Sequence, residues 1–445
     1  MTSIAYITRD IERALGALPS ESYFIVANDG AYARTIKAVY PDFILLIESP
    51  APLDTFELLE HPETATFFKK IFGKAMPAGR QEKPSIIVFK NTVRIEELCA
   101  KKDWALLNPP TTLAEKIENK ITQTEWLGDL ATLLPAFKIL PTKGIKWEKK
   151  TMVLQWAHAH TGEGTIVVND AASLSDLQKK FPDRPAKVSE FIKGPTFTVN
   201  VVVTENRASE RGAEHFSGAT LASDGKCPRP QDERADFPEN NIAIGNVSYQ
   251  ITGMPPLTDS PFATVGNDWS LPLTLLNERH LAELRDMAEK IGVKMRDSGW
   301  KGLFGIDVIY DEERDQLKLI EINARQPAST TFESQLQDKF RGHGLAGATI
   351  FEAHLAALTD SPLTEKQIEL NDGAQVVQRI TKNPPAASSW PEKIIALNKA
   401  GYATIPYPNT KHNADFLRIQ SAKGIMAGHG KFNARGQEIV DILEK

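Results

Sequence analysis

Two neighbouring segments of the chain read Gly302-Leu303-Phe304-Gly305-Ile306-Asp307-Val308-Ile309-Tyr310 and Leu317-Lys318-Leu319-Ile320-Glu321-Ile322-Asn323-Ala324-Arg325. Both are apolar runs of strand length, and the polar residues 311–316 between them predict a connecting loop. Side chains alternate between the faces of a strand, so Glu321 and Asn323 share one face. Pairing of the two strands could add Asp307 to them. Oxygen ligands of this kind favour Mg²⁺, and the sequence therefore predicts a magnesium site.

The same residues also have a plainer explanation. An acidic residue in a strand is usually solvated at an edge or on an open face. However, Glu321 and Asn323 interrupt a strand on the side where Leu317 and Leu319 would be buried, and a buried carboxylate is costly unless it is paired or bound to metal. The pattern alone leaves both interpretations open. Arg325 follows directly and offers a planar cation suited to phosphate or carboxylate.

Length and composition indicate a globular protein of several domains. The chain has 445 residues, of which 41% are hydrophobic and 24% charged, so two or three domains are expected. The net charge of −5 gives no general basic surface for nucleic acid, and no apolar run is long enough to span a bilayer. We therefore expect neither a nucleic-acid nor a membrane partner. The N-terminus lacks a signal-peptide pattern and there are two cysteines, which favours a cytoplasmic location.

The order of predicted elements divides the chain into three parts. Residues 1–110 alternate strands with helices, which predicts an α/β domain with a parallel sheet. Residues 111–365 contain further strands and helices, including helices predicted at Leu113 to Leu134 and Leu345 to Leu358, with a long surface loop at 207–240. Residues 366–445 carry short strand-like pieces closed by a helix and predict a small β-rich domain.

A glycine-containing segment between two predicted strands could bind an anion. It reads Thr161-Gly162-Glu163-Gly164-Thr165. Glycines let backbone N–H groups approach a phosphate, although a short loop of this kind is more often a plain turn. His158 and His160 lie beside it; without a third nearby ligand they are interpreted as polar loop residues rather than a metal site.

The order of these motifs resembles that of the ATP-grasp superfamily, in its carboxylate–amine ligase and biotin carboxylase-like branch. The resemblance covers roughly residues 1–330. It is carried by Lys120, the loop 161–165, the segment Glu190-Phe191-Ile192-Lys193-Gly194, and Asp307 followed by Glu321-Ile322-Asn323-Ala324-Arg325. The resemblance implies a mixed α/β and α+β fold: an N-terminal pre-ATP-grasp domain (1–110), an ATP-grasp domain of two antiparallel-sheet lobes (111–365) and a β-rich C-terminal extension (366–445).

The resemblance also implies roles for single residues. ATP would lie between the two lobes with Mg²⁺, or Mn²⁺ as the alternative ion, held by Asp307, Glu321 and Asn323. Arg325 would act in catalysis on the transferred phosphate or acyl phosphate. The implied nucleotide-binding residues are Lys120 and Lys138, Gln155, Thr161, Gly162, Gly164 and Thr165 at the phosphates, and Glu190, Phe191 and Ile192 around the adenine.

This sequence departs from the family pattern at two positions. Gln155 stands where the strand before the glycine loop usually supplies a lysine to the phosphates, so we expect Lys120 or Lys138 to provide that charge. Thr196 stands where the segment after Gly194 commonly carries a carboxylate. Gln155 makes catalysis less secure than nucleotide binding.

The favoured function is an ADP-forming ligase that joins a small-molecule carboxylate and an amine through an acyl phosphate. Two alternatives stay open: a carboxylase acting through carboxyphosphate, and a nucleotide-binding regulatory protein, which Gln155 favours. No biotinyl-lysine motif is evident, which weakens the first of these. The resemblance also suggests a homodimer, while the substrates themselves are not readable from the residues.

Overall fold

The computed structural model describes residues 3–73, 83–157, 165–204, 241–363, 365–382 and 389–445. Within these ranges no helix is both long and apolar enough to cross a membrane. The predicted loop at 207–240 lies outside the described residues.

The N-terminal part is a five-stranded parallel sheet with helices around it. Its strands are β1 (Ile4–Thr8), β2 (Tyr23–Asn28), β3 (Ile44–Ile47), β4 (Ser85–Val88) and β5 (Ala105–Leu106), in the order β3-β2-β1-β4-β5. Its helices are α1 (Ala31–Val39), α2 (Thr55–Glu60), α3 (Pro62–Phe72) and α4 (Val93–Lys102), with a 3-10 turn at Ile11–Ala14. The predicted parallel α/β domain is confirmed.

The central strands of this sheet are apolar on both faces because both faces are covered. One face packs against α2, α3 and α4 through residues such as Ile7 and Phe68. The other face packs against Phe351, whose ring centroid lies 6.2 Å from that of Tyr6 and 6.1 Å from that of Tyr23. Phe351 belongs to a later part of the chain, so this contact fixes the N-terminal sheet against the rest of the molecule.

A four-stranded antiparallel sheet follows and is called here the small sheet. It is reached through α5 (Thr111–Glu118), α6 (Thr122–Leu127) and a 3-10 helix at Gly128–Leu133. Its strands are β6 (Phe137–Pro141), β7 (Met152–Trp156), β8 (Thr165–Val168) and β9 (Pro185–Glu190), in the order β6-β9-β7-β8, with a 3-10 turn at Thr142–Gly144 and helix α7 (Ala171–Lys180). Leu154, Ala186 and Leu174 of α7 form the core on one side of it.

The second antiparallel sheet has eight strands and is called the large sheet. Its strands are β10 (Thr196–Val203), β11 (Ile242–Thr252), β12 (Thr264–Asp268), β13 (Gly302–Asp311), β14 (Gln316–Asn323), β15 (Ala374–Arg379), β16 (Ala403–Pro406) and β17 (Asp415–Ser421). The order is β14-β13-β10-β11-β12-β15-β17-β16. The last three strands belong to the β-rich C-terminal region, which joins the large sheet edge to edge where β15 pairs with β12.

Helices cover this sheet, and a short hairpin completes the chain. The helices are α8 (Pro272–Leu275), α9 (Glu278–Asp297), α10 (Thr330–Arg341), α11 (Ile350–Leu358), α12 (Trp390–Lys399) and α13 (Ala434–Glu444), and the hairpin is β18 (Met426–Gly428) with β19 (Lys431–Phe432). The 20-residue helix α9 buries Leu284, Met287 and Ile291 against the sheet, as its periodic apolar positions predict.

Two predicted helices are wrong in extent. The helix predicted from Leu113 to Leu134 stops at Glu118, because the side chain of Asn119 accepts a hydrogen bond of 3.0 Å from the backbone N–H of Ile121 and replaces the next helical turn. The helix predicted from Leu345 begins only at Ile350, where Thr349 and Glu352 form a capping box.

Candidate active site

The register of β13 and β14 brings the predicted oxygen ligands together. Asp307 lies directly opposite Glu321, and Gly305 lies opposite Asn323. The amide Nδ2 of Asn323 donates a hydrogen bond of 3.1 Å to Oδ2 of Asp307. Directly opposed residues in antiparallel strands project from the same face. The three side chains are therefore one cluster, called here the acidic cluster.

Asp307 is the buried member of the acidic cluster, with 8% of its surface exposed. Its Oδ1 accepts a 2.7 Å hydrogen bond from the hydroxyl of Thr198 on β10, and that hydroxyl accepts one of 2.7 Å from Gln250 on β11. Burial, followed by the nearby charge of Glu321, raises the pKa of Asp307 to about 6 despite these donors. The site thus holds a carboxylate that a cation would stabilise in its charged form.

Glu321 differs because a lysine contacts it. The ammonium of Lys120 donates a 2.7 Å hydrogen bond to Oε1 of Glu321. Burial acts to raise the pKa of Glu321, but the charge and hydrogen bond of Lys120 outweigh it, with help from Arg325, so the pKa lies below its usual value. In the described residues no hydrogen bond reaches Oε2 of Glu321, which leaves this oxygen available to an incoming cation.

Arg325 connects the acidic cluster to the N-terminal sheet. Its Nη2 donates a 2.9 Å hydrogen bond to Oδ1 of Asn323, and its Nε lies 3.6 Å from Oε1 of Glu118. Its guanidinium carbon lies 6.0 Å from the ring centroid of Phe89, just after β4. A cavity here is lined by Arg325, Phe89, Lys90, Asn91, Trp300 and His354. Its volume is only about 30 Å³, and it lies between the guanidinium and the carboxyl edge of the parallel sheet.

The break between α5 and α6 positions Lys120. Lys120 is 7% exposed. Its backbone N–H donates a 3.2 Å hydrogen bond to the carbonyl of Ala157, which directly follows β7. Lys120 therefore joins the end of the small sheet to the acidic cluster of the large sheet. A straight helix through this position would not allow both contacts.

Gln155 lies on β7 with its Nε2 3.3 Å from the hydroxyl of Thr165 on β8. Directly opposite Gln155 on β9 is Lys187, a residue that sequence reasoning missed. Lys187 is 2% exposed. Burial, then the charge of Lys120, lowers its pKa to about 8, and Glu321 acts in the opposite direction. A lysine in the middle of a short strand was the available signal, but its importance depends on which residue lies across from it.

Lys138 is separated from this group. It lies opposite Val188 on β9, one position out of phase with Lys187, so it projects from the other face of the small sheet. Its side chain is exposed, and its ammonium lies 4.0 Å from Oε1 of Glu148. The structure does not place Lys138 beside the phosphate residues expected from the resemblance.

The predicted adenine segment is the connection between β9 and β10. Glu190 pairs with Arg314 at 2.9 Å, while Phe191 is 39% exposed and Ile192 is buried. Gly194 keeps this connection close to the large sheet, since a Cβ at this position would lie 2.0 Å from the carbonyl oxygen of Tyr310. The segment therefore bridges the two sheets beside the site.

Most of the predicted phosphate loop lies outside the described part of the chain. Thr161, Gly162 and Gly164 lie outside the described residues, as do His158 and His160, whereas Thr165 begins β8. Among the described residues, no group of three or more His, Cys, Asp or Glu side chains could hold a metal. The acidic cluster has two carboxylates and an amide, so a bound ion would take its other ligands from water and phosphate.

Comparison with known proteins gives the same fold across the whole chain. The N5-carboxyaminoimidazole synthase of Aspergillus clavatus, solved with ADP and 5-aminoimidazole ribonucleotide, superposes with a TM-score of 0.61 at 14% identity, covering 100% of this chain and 99% of that one. The N5-carboxyaminoimidazole synthetase of Staphylococcus aureus superposes with a TM-score of 0.59 at 13% identity, covering 100% of this chain and 98% of that one. The L-amino acid ligase of Bacillus licheniformis superposes with a TM-score of 0.56 at 12% identity, covering 100% of this chain and 97% of that one.

No protein-family model and no curated protein sequence matches the chain. At 12–14% identity the structural comparisons establish the fold. They confirm the expected arrangement of a parallel N-terminal sheet, antiparallel lobes and a small C-terminal β region.

Proposed function

We propose that the chain is an ATP-dependent ligase that joins a small-molecule carboxylate to an amine and releases ADP and phosphate. One observation carries the proposal: Asp307, Glu321 and Asn323 meet on one face of β13 and β14, in contact with both Lys120 and Arg325. Two carboxylates and an amide next to two fixed cations suit a metal–triphosphate ligand. The shared fold with a ligase and with nucleotide-bound synthetases supports it.

In this proposal Asp307, Glu321 and Asn323 would hold Mg²⁺. The buried state of Asp307 and the free Oε2 of Glu321 fit a cation there. When bound, the ion would neutralise phosphate charge and orient the phosphoryl group. Lys120 would orient Glu321 and add positive charge, and Glu190, Phe191 and Ile192 would flank the adenine.

The reaction would proceed in two displacements. A carboxylate oxygen of the substrate would attack the γ-phosphorus of ATP and expel ADP, which gives an acyl phosphate. The amine nitrogen would then attack the acyl carbon and expel phosphate, forming the C–N bond and losing a proton to solvent. Arg325 would offset the charge of the transferred phosphoryl group in both steps, since its guanidinium forms paired hydrogen bonds with such oxygens.

A second candidate is a carboxylase that activates bicarbonate and transfers it to an amine. The likeness to N5-carboxyaminoimidazole synthetases over the whole chain favours it. It differs from the first candidate only in the carboxylate, so a single assay separates them. A nucleotide-binding protein without turnover is the third outcome of that assay.

The test is a screen for ADP and phosphate release with purified protein, MgATP and pairs of carboxylates and amines. The proposal predicts release that requires both partners and a product with a new amide bond by mass spectrometry. Release that requires bicarbonate and an amine alone would establish the carboxylase. MgATP binding without any stimulated release across the screen would contradict the ligase.

A further inference from the structure

Three strands of the small sheet place one residue each in a single row. Gln155 on β7 lies opposite Lys187 on β9, and Ile139 on β6 lies opposite Lys187 from the other side. All three side chains therefore project from one face. The core of Leu154, Ala186 and Leu174 lies on the other face. Lys187 thus projects away from the core of its own lobe.

The ammonium of Lys187 lacks the partner that a buried cation needs. The residue is 2% exposed. Among the described residues its ammonium has no hydrogen-bond partner and no carboxylate within 4.0 Å. The ring of Phe137 lies beside it, with its centroid 5.4 Å from the ammonium nitrogen. A buried charge without a counter-ion is costly. A bound anion would therefore stabilise the charged form of Lys187.

The electrostatic neighbours of Lys187 are those of the proposed nucleotide site. The charges of Lys120 and Glu321 both act on it, although they come from a linker and from the other sheet. Lys120 and Glu321 contact each other at 2.7 Å. Lys187 projects from the small-sheet face opposite the core of that lobe, and Lys120 and Glu321 lie on the same side.

We propose that Lys187 binds a phosphate oxygen of ATP, in place of the lysine that the resemblance places at position 155. This inference rests on the proposed function. Opposed Cβ atoms in an antiparallel pair are about 5 Å apart, a distance that a flexible lysine side chain covers. The positive charge then comes from β9 instead of the neighbouring strand β7, where Gln155 offers a neutral hydrogen-bond donor. The net charge offered to the triphosphate is conserved.

A purely structural role makes a different prediction. In that case the Lys187 stem fills space and its ammonium interacts with the Phe137 ring, as amphipathic side chains often do. Replacement would then lower the melting temperature without a specific effect on nucleotide. A lysine at position 155 would then not restore the melting temperature, because the Phe137 ring lies beside Lys187.

The test compares MgATP affinity by isothermal titration calorimetry in four proteins. They are the wild type, Lys187→Met, the exchange variant Gln155→Lys/Lys187→Gln, and Lys143→Met as a control, since Lys143 is an exposed lysine of the same lobe. We expect Lys187→Met to weaken binding by at least about tenfold, the scale of a charge-assisted hydrogen bond. The exchange variant should return to within about threefold of wild type, and Lys143→Met should equal wild type.

Thermal unfolding is followed by circular dichroism for each protein, so that a misfolded variant is recognised. If Lys187→Met is misfolded, the MgATP affinity of the exchange variant decides the test. Wild-type binding with unchanged affinity in Lys187→Met overturns the inference and leaves the ligase proposal standing. The same holds if the exchange variant folds but binds MgATP as weakly as Lys187→Met. Absence of MgATP binding to the wild type would overturn both proposals.

Discussion

The acidic cluster of the large sheet and the Gln155–Lys187 pair of the small sheet depend on the sequence in different ways. Asp307, Glu321 and Asn323 come from two strands that are adjacent in sequence, so a hairpin places them together. Lys187 and Gln155 become neighbours only through pairing across 32 residues of chain, and Lys120 reaches Glu321 across about 200. The proposed metal ligands thus come from one hairpin, whereas the proposed phosphate ligands come from segments that are distant in sequence.

The largest expected effect is in the acidic cluster. Asp307→Asn and Glu321→Gln keep the shape of each side chain and remove its charge. We expect either change to lower kcat/KM for ATP by about 1,000-fold, because metal coordination contributes several kcal/mol. Steady-state assays of ADP release would measure this, with the far-UV circular dichroism unchanged. Turnover within about threefold of wild type in either variant would contradict the assignment.

The next effect is expected at Arg325, which lies between the acidic cluster and the N-terminal sheet. Arg325→Lys retains the charge but loses the planar fork, which forms two parallel hydrogen bonds to an anion. We expect kcat to fall by about 100-fold, the scale of one lost transition-state donor, with the KM for ATP nearly unchanged. A higher KM for ATP with unchanged kcat would show instead that Arg325 binds the ground state and the transition state equally.

A smaller effect is expected at the connection between the two sheets. In Gly194→Ala the new Cβ would lie 2.0 Å from the backbone oxygen of Tyr310, so the connection must move. We expect a loss of about 2 kcal/mol in the free energy of unfolding and a higher KM for ATP. Gly144→Ala is the matched control, because a Cβ there has no neighbour within 4 Å. If both variants melt at the same temperature, the close approach does not constrain the lobe.

The smallest effect is expected at Glu333, a buried carboxylate outside the acidic cluster. Glu333 on α10 is fully buried and is held by the side chain of Asn200 and by the backbone N–H of Asn246, rather than by a cation. Burial raises its pKa to about 7 from an ordinary value near 4.5. The folded state therefore binds more protons than the unfolded state between these values, so this group makes the protein less stable as pH rises from about 4.5 to 7.

Glu333→Gln should remove that dependence, because glutamine does not titrate. Melting temperatures measured from pH 4.5 to 7 should fall less steeply in the variant than in the wild type. ATP turnover should be affected only through stability. An unchanged slope would show that Glu333 ionises normally in the folded protein.

Local patterns predicted those parts of the molecule in which sequence neighbours are also spatial neighbours. The parallel sheet around Ile4–Thr8 followed from the alternation of strands and helices, and the β13–β14 pair from two apolar runs and a loop. The end of α5 at Glu118 was missed because the Asn119 side chain competes with the helix through a bond that periodicity does not register.

The other parts of the fold depend on pairing between segments that are distant in sequence. The C-terminal strands were predicted, but not that β15 would join β12 and extend the large sheet. Lys138 and Lys187 are both lysines in short strands, and the phase of β6 against β9 alone decides which one faces the cleft. That phase depends on which apolar residues the lobe buries, a property of the packed sheet rather than of either strand.

The central claim is that Asp307, Glu321 and Asn323 bind a divalent cation together with ATP. Calorimetric titration of ATP into the wild-type protein, in Mg²⁺ and again in excess EDTA, tests it most directly, with Asp307→Asn titrated under the same conditions. We predict saturable binding in Mg²⁺ that is lost in EDTA and lost in the variant. Equal ATP affinity with and without Mg²⁺, or an unchanged affinity in Asp307→Asn, would contradict it.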